Sequence, residues 1–257
     1  MTSKPSEPDS SDGDENDDEA DFGASADARP SAPPGSSRPW IAALATTAFI
    51  AAAFAIGFQP ARQLTSTPFV ALGSAYSVTS IAAVHRLRQR DELSLLRLKS
   101  GDVSIAALVG GLLYGLAYAT HALVTSRGPR AAWVFSVYVL LGDPFADRHH
   151  LVAAGLAVVG VLEELTWRGM VLPLLEGRSG TLRASVTSSI LYATSHMPSM
   201  FLLASPLAGP NPLLVLASLG CGLVWAYLRY RTGRLAPVLL AHGLFTWAVV
   251  EFPLWRP

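Results

Sequence analysis

Glu163, Glu164 and Arg168 lie inside an apolar run, HLVAAGLAVVGVLEELTWRGMVLPLL over residues 150–175, that is long enough to cross a membrane. After its first residue the run carries no other charge. A charged side chain at bilayer depth costs several kcal/mol, so such groups are rare and usually functional. On a solvated helix the same spacing would mean little. Here Glu164 and Arg168 are four apart and can pair on one helix face. Glu163, one position round, can turn toward the same interior and stay free, which suits a general base. Two later runs repeat the i, i+4 pattern, with Tyr192 and His196 in one and His242 and Thr246 in the other. Together these residues offer a carboxylate base, two imidazoles, a hydroxyl donor and an ion pair to hold the base's helix. That set is sufficient for water-mediated amide hydrolysis, with Glu163 and His196 activating water and His242 and Thr246 stabilising the oxyanion.

The elements that must position these groups are apolar spans. The chain is 51% hydrophobic and only 15% charged, with a mean hydropathy of +0.36, where soluble domains carry about 25% charged residues. From Pro39 onward, apolar runs cover roughly 39–58, 67–84, 103–124, 150–175, 183–203, 212–230 and 235–252. Each is near the ~20 residues a helix needs to cross the hydrocarbon. The stretch 131–141 is too short for an ordinary span and reads as an interfacial or re-entrant piece, or as an eighth helix extended by its flanks. No period-2 alternation supports a β-barrel. The fold class is therefore all-α, a polytopic membrane bundle of seven or eight transmembrane helices. Small residues at 110–115 and 220–222 allow helices to approach closely. Cys221 in one span reads as packing, His121 as structural, and Glu251 as an interfacial carboxylate at a helix end.

Loop charges orient the bundle. Arg86, Arg88, Arg90, Arg97 and Lys99 follow the second span, Arg178 and Arg183 the fourth, and Arg229, Arg231 and Arg234 the sixth. Seven spans put these loops together on the cytoplasmic side, with the uncharged 204–211 loop outside. Arg127, Arg130 and Arg148 fall on the outer side against the rule. Residues 1–38 hold ten acidic residues, from Glu7 to Asp27, against Lys4, Arg29 and Arg38. Poor in large apolar residues, this segment is expected to be a disordered cytoplasmic tail ahead of a membrane domain over 39–257. No basic start leads directly into an apolar core, so it is not read as a signal peptide.

The motifs and their order resemble the CAAX-protease and bacteriocin-processing family of intramembrane proteases, also called the Abi family. The resemblance rests on Glu163, Glu164 and Arg168 in EELTWRG, Tyr192 to His196 in YATSH, and His242 to Thr246 in HGLFT, and covers roughly 150–250. Two positions depart from that family's pattern. Tyr192 stands where Phe is usual, and Thr246 where Asn is commoner. The resemblance implies an all-helical membrane bundle and endoproteolysis near the C-terminus or membrane segment of a membrane-associated protein or peptide. Eukaryotic members trim prenylated CAAX proteins. Bacterial members are linked to bacteriocin maturation or immunity, or to removal of C-terminal sorting tails, and the W-R-G and H-x-x-F-T-W contexts resemble the last group. Usage rich in Ala and Arg, with only Lys4 and Lys99, suggests a bacterium with GC-rich DNA, hence a multi-pass protein of the bacterial inner membrane whose substrate is a bacteriocin-like peptide, a C-terminal sorting tail or a lipidated protein. The expected partners are that substrate and the lipid bilayer, with no nucleic acid.

Two glutamates and two histidines can also ligate zinc. No HExxH is present, and the expected mechanism is glutamate-dependent with no cofactor, zinc being the alternative. No Gly-x-Ser-x-Gly offers a serine nucleophile, and the Gly-Asp pairs at 101–102 and 142–143 fall in loops. The rival functions are a proton-coupled transporter and a catalytically inactive membrane scaffold. Transporters usually carry matched repeats with interrupted helices, yet all the intramembrane charge here follows residue 150.

Overall fold

The computed structural model describes residues 37–254. The acidic tail expected over 1–38 therefore lies almost wholly outside the described residues. Among those residues the chain forms helices joined by short turns, without a named strand. In chain order they are α1 (Arg38–Gly57), α2 (Thr67–Gln89), α3 (Asp102–Thr120), α4 (Ala131–Val139), α5 (His149–Thr166), α6 (Leu172–Ser179), α7 (Thr181–Ser195), α8 (Met197–Leu202), α9 (Leu213–Thr232) and α10 (Ala236–Glu251). Pro39, Pro68 and Pro237 occupy the first turns of α1, α2 and α10, where a missing N–H costs nothing and the fixed φ favours the helix.

Five helical runs are long and apolar enough to cross a membrane: Arg38–Gly57, Thr67–Gln89, Asp102–Thr125, His149–Ser179 and Leu213–Thr232. Ala236–Glu251 is apolar but shorter. The run expected at 183–203 is not one helix. It stops at Ser195, and α8 restarts at Met197. Pro198 explains the break, since in a continuous helix it would lack a donor and crowd the carbonyl four residues back. The 131–141 stretch forms the nine-residue α4, about 14 Å long at 1.5 Å per residue, too short to span. Its Tyr138 hydroxyl donates to the Val249 carbonyl at 2.8 Å, and the Trp133 carbonyl accepts from Asn211 Nδ2 at 2.8 Å.

Outward positions are apolar along whole helices. Leu108, Leu112 and Leu116 of α3, spaced by four, are all exposed, the pattern of a face meeting acyl chains rather than water. The buried apolar residues form two clusters. One gathers Ile50, Phe54, Tyr76, Trp167, Leu175 and Tyr192; the other gathers Ala106, Trp225, Leu228, Val238 and Ala241. Helix α5 packs against α10 and α2, and α7 packs against α9 and α1, which brings the three motif helices to the seam between the clusters. Two of the basic loops meet at one end. Leu235 N–H donates to the Leu95 carbonyl at 2.9 Å, and Arg234 grips the buried Asp102 carboxylate through both terminal nitrogens, at 2.6 and 2.5 Å.

Candidate active site

Helix α5 continues into α6 through a wide π-type turn, Trp167–Val171. Pro173 lies just beyond it. In a regular helix the Pro173 ring would crowd the Gly169 carbonyl, and the wide turn relieves that conflict. Such turns occur frequently at functional sites. Arg168 sits within the turn with no exposed surface. Its Nη1 donates to Glu164 Oε1 at 3.1 Å, and its Nη2 to the Gly222 carbonyl of α9 at 2.5 Å. Gly222 makes room there, since an added Cβ would lie 3.1 Å from Arg168 Nη2 and 3.2 Å from Tyr192 Cδ1, close enough that those groups would have to shift by a few tenths of an ångström. Arg86 of α2 donates to the Met170 carbonyl at 2.8 Å, tying the turn to the basic end of α2.

The two glutamates are treated differently by their surroundings. Glu164 is fully buried, and its Oε1 also accepts from His242 Nδ1 at 2.8 Å. Glu163 keeps 11% of its side chain exposed and has its Oε2 3.9 Å from His242 Nε2. The Tyr192 hydroxyl donates to that same Oε2. Adjacent carboxylates are thus split between one committed to Arg168 and His242, the pairing that the spacing predicts, and one that is held by Tyr192 rather than free and keeps a small exposed side.

Each histidine has its Nδ1 committed. That of His196 bonds to the Tyr192 carbonyl at 2.9 Å, so Nδ1 carries the hydrogen and Nε2 a lone pair. The break before Pro198 leaves His196 as the cap of α7. Phe54 of α1 covers its ring at a centroid distance of 4.4 Å. His242 presents Nδ1 to Glu164 and stacks on Trp225 at 5.2 Å. Thr246, one turn on, is half-buried. Its Oγ1 packs over Gly160, where an added Cβ would lie 3.0 Å away and 3.2 Å from His242 Cδ2. No hydrogen bond ties Thr246 to the other motif residues within the described chain.

The structure therefore brings Glu164, Arg168 and His242 into one bonded group, sets Glu163 3.9 Å from His242 Nε2, joins Glu163 and His196 through Tyr192, and leaves Thr246 at the edge. It also adds residues that the motif spacing does not reveal. Tyr76 of α2 is fully buried, within electrostatic reach of Glu163 and Glu164. Thr79 and Ser80, three and four residues on, bond Thr166 Oγ1 and the Leu162 carbonyl, each at 2.8 Å. A helical stripe of Tyr76, Thr79 and Ser80 was the available signal for a helix facing the site.

Among the described residues, no group of three or more His, Cys, Asp or Glu side chains is arranged to take a metal ion.

Fold and site together define a multi-pass helical membrane protein with a Glu–His centre inside the bundle. Residues 145–248 match the family model described as Rce1-like, type II CAAX prenyl endopeptidase. All three motifs lie within that segment, which accords with the resemblance read from their spacing and supports a CAAX-type intramembrane protease in general. No significant match to a curated protein or to a solved structure was found.

Proposed function

We propose that the protein is an intramembrane endopeptidase that hydrolyses a peptide bond near the C-terminus or membrane segment of a membrane-associated protein or peptide. One observation carries the reading: of two adjacent buried carboxylates, Glu164 is consumed by Arg168 and His242, while Glu163 keeps an open side next to His242 Nε2. In the proposed reaction, His196 Nε2 accepts a hydrogen bond from the attacking water and orients it. Glu163 takes the water's other proton as its oxygen adds to the scissile carbonyl carbon. The carbonyl oxygen becomes an oxyanion facing His242 Nε2 and the Thr246 hydroxyl. The tetrahedral centre then collapses, the C–N bond breaks, and Glu163 returns the proton to the leaving amine. No metal enters these steps. The basic loops that meet at one end favour that end as cytoplasmic in a bacterial inner membrane.

The test is cleavage by the full chain in lipid nanodiscs of two internally quenched peptides, one ending in a farnesylated CAAX sequence and one with an unlipidated apolar C-terminal segment. Glu163→Gln, His196→Ala and His242→Ala are each expected to abolish cleavage while the protein still inserts, since members of a unit that acts together fail together. A wild-type rate from any of these variants removes that residue from the mechanism.

A further inference from the structure

Tyr192 touches both members of the proposed water-activating pair, by different atoms. Its main-chain carbonyl accepts from His196 Nδ1 at 2.9 Å. Its side-chain hydroxyl donates to Glu163 Oε2, the oxygen that also faces His242 Nε2 at 3.9 Å. The hydroxyl is the end of a ring that has little freedom to move. Trp167 packs against it at a centroid distance of 5.4 Å, the His196 ring meets it edge-on at 4.8 Å, and the Arg168 guanidinium carbon lies 5.1 Å from its centroid. Gly222 admits the ring's edge where a Cβ would stand 3.2 Å from Cδ1. Tyr192 itself is buried. Four contacts, two from the π-turn, one from α9 and one from the His196 cap of its own helix, therefore fix the point from which the hydrogen bond is donated.

We propose that Tyr192 is a positioning residue that sets Glu163 against His196. A glutamate has three rotatable bonds and, with part of its side chain exposed, several ways to point. Donation from a locked phenol selects one of them. It commits Oε2 to Tyr192 and leaves Oε1 as the oxygen that receives a proton from water. Because the same residue fixes the His196 tautomer through its carbonyl, base and imidazole are indexed to one another rather than each to its own helix. The inference rests on the assignment of Glu163 as the base. It adds that the base works in one orientation, and names the residue that imposes it.

Tyr192→Phe separates the two contacts, because it keeps the ring, its packing and the carbonyl bond to His196 and removes only the hydroxyl. The full chain in nanodiscs is assayed with the two quenched peptides above. Cleavage is expected to show kcat reduced about 10-fold with KM unchanged, since small losses of alignment act on the chemical step rather than on substrate binding. A second readout needs no substrate. In infrared difference spectra between acid and neutral pH, the carboxyl band absent from Glu163→Gln belongs to Glu163, and that band is expected to shift in Tyr192→Phe. An unshifted band overturns the contact. A shifted band with kcat unchanged, or with the loss appearing in KM, overturns the positioning role. Full activity in Glu163→Gln with the band still shifted in Tyr192→Phe has a different meaning: the contact stands, but the base is misassigned and the positioning role falls with it.

Discussion

Among the described residues, Arg234–Asp102 and Arg168–Glu164 are two ion pairs with a fully buried carboxylate, and they are built differently. Arg234 meets Asp102 in a two-pronged contact across distant loops, with Arg234 18% exposed and Asp102 fully buried; the Lys99 amide also donates to the carboxylate. That pair is closed on itself, and its geometry specifies only that two loops meet. Arg168 and Glu164 are both wholly buried, yet they share a single hydrogen bond of 3.1 Å. Glu164 gives the same oxygen to His242, while Glu164 Oε2 and Arg168 Nε have no partner among the described residues. Buried polar groups are nearly always paired. A pair that leaves two atoms unmatched while orienting a histidine is organised around that histidine, not around its own strength.

Breaking the inner pair is expected to have the largest effect. Arg168→Ala leaves Glu164 charged and buried, a loss of about 3–5 kcal/mol. Folded yield in detergent should fall further than for Glu163→Gln, and cleavage should be lost as well. Equal yields for the two variants would mean that Arg168 does not hold the pair together and acts on substrate instead. Thr246 sharpens the site's side of the comparison. If its hydroxyl faces the oxyanion, Thr246→Val should slow turnover by about 10²–10³ without changing yield, and Thr246→Asn should retain activity. A fully active Thr246→Val would leave His242 alone in that role and reduce the third motif to one residue.

The outer pair should respond in stability only. Arg234→Ala strips the buried Asp102 of two hydrogen bonds and should cost about 2 kcal/mol, read as a lower thermal midpoint. Turnover per folded molecule should not change. A fall in turnover would show that the loop junction reaches the site and that the two pairs are not separate. The smallest expected effect is that of a chelator. With Arg168 as the site's fixed cation, prolonged chelation should leave the rate unchanged and the purified protein should contain no stoichiometric metal. Metal at one equivalent, with activity lost on stripping and restored by zinc, would recast Glu163 and the histidines as ligands.

The sequence reading reached furthest where the information is local. Four-residue spacing on α5 foretold the Glu164–Arg168 pair, and the offset of one residue foretold that Glu163 would remain apart from it. Pro198 carried the signal for the break at His196, but length and hydropathy over 183–203 outweighed it, and the run was read as a span. The Tyr192–Glu163 bond was not legible, because helical period says which residues share a face, not which faces abut. For the same reason Tyr76 passed as one more aromatic in an apolar run. Its polarity becomes informative only once Thr79 and Ser80 are seen to bond α5. The acceptor of Arg168 on α9 is a main-chain carbonyl, which no side-chain pattern can announce.

The wide turn at Trp167–Val171 gives this segment an unusual tolerance profile. An α-helix advances about 100° per residue. The wide turn spends one more residue on a turn than an α-helix does, so straightening it at unchanged length would rotate everything after it by about 100° relative to Glu163 and Glu164. Leu172 and Leu175, both buried, would swing off their packing face, or the glutamates would swing off theirs. Loss of the wide turn and loss of one residue therefore compensate each other, while either alone shifts the register. Among homologous chains, one residue fewer between the paired glutamates and Pro173 should go with an uninterrupted helix.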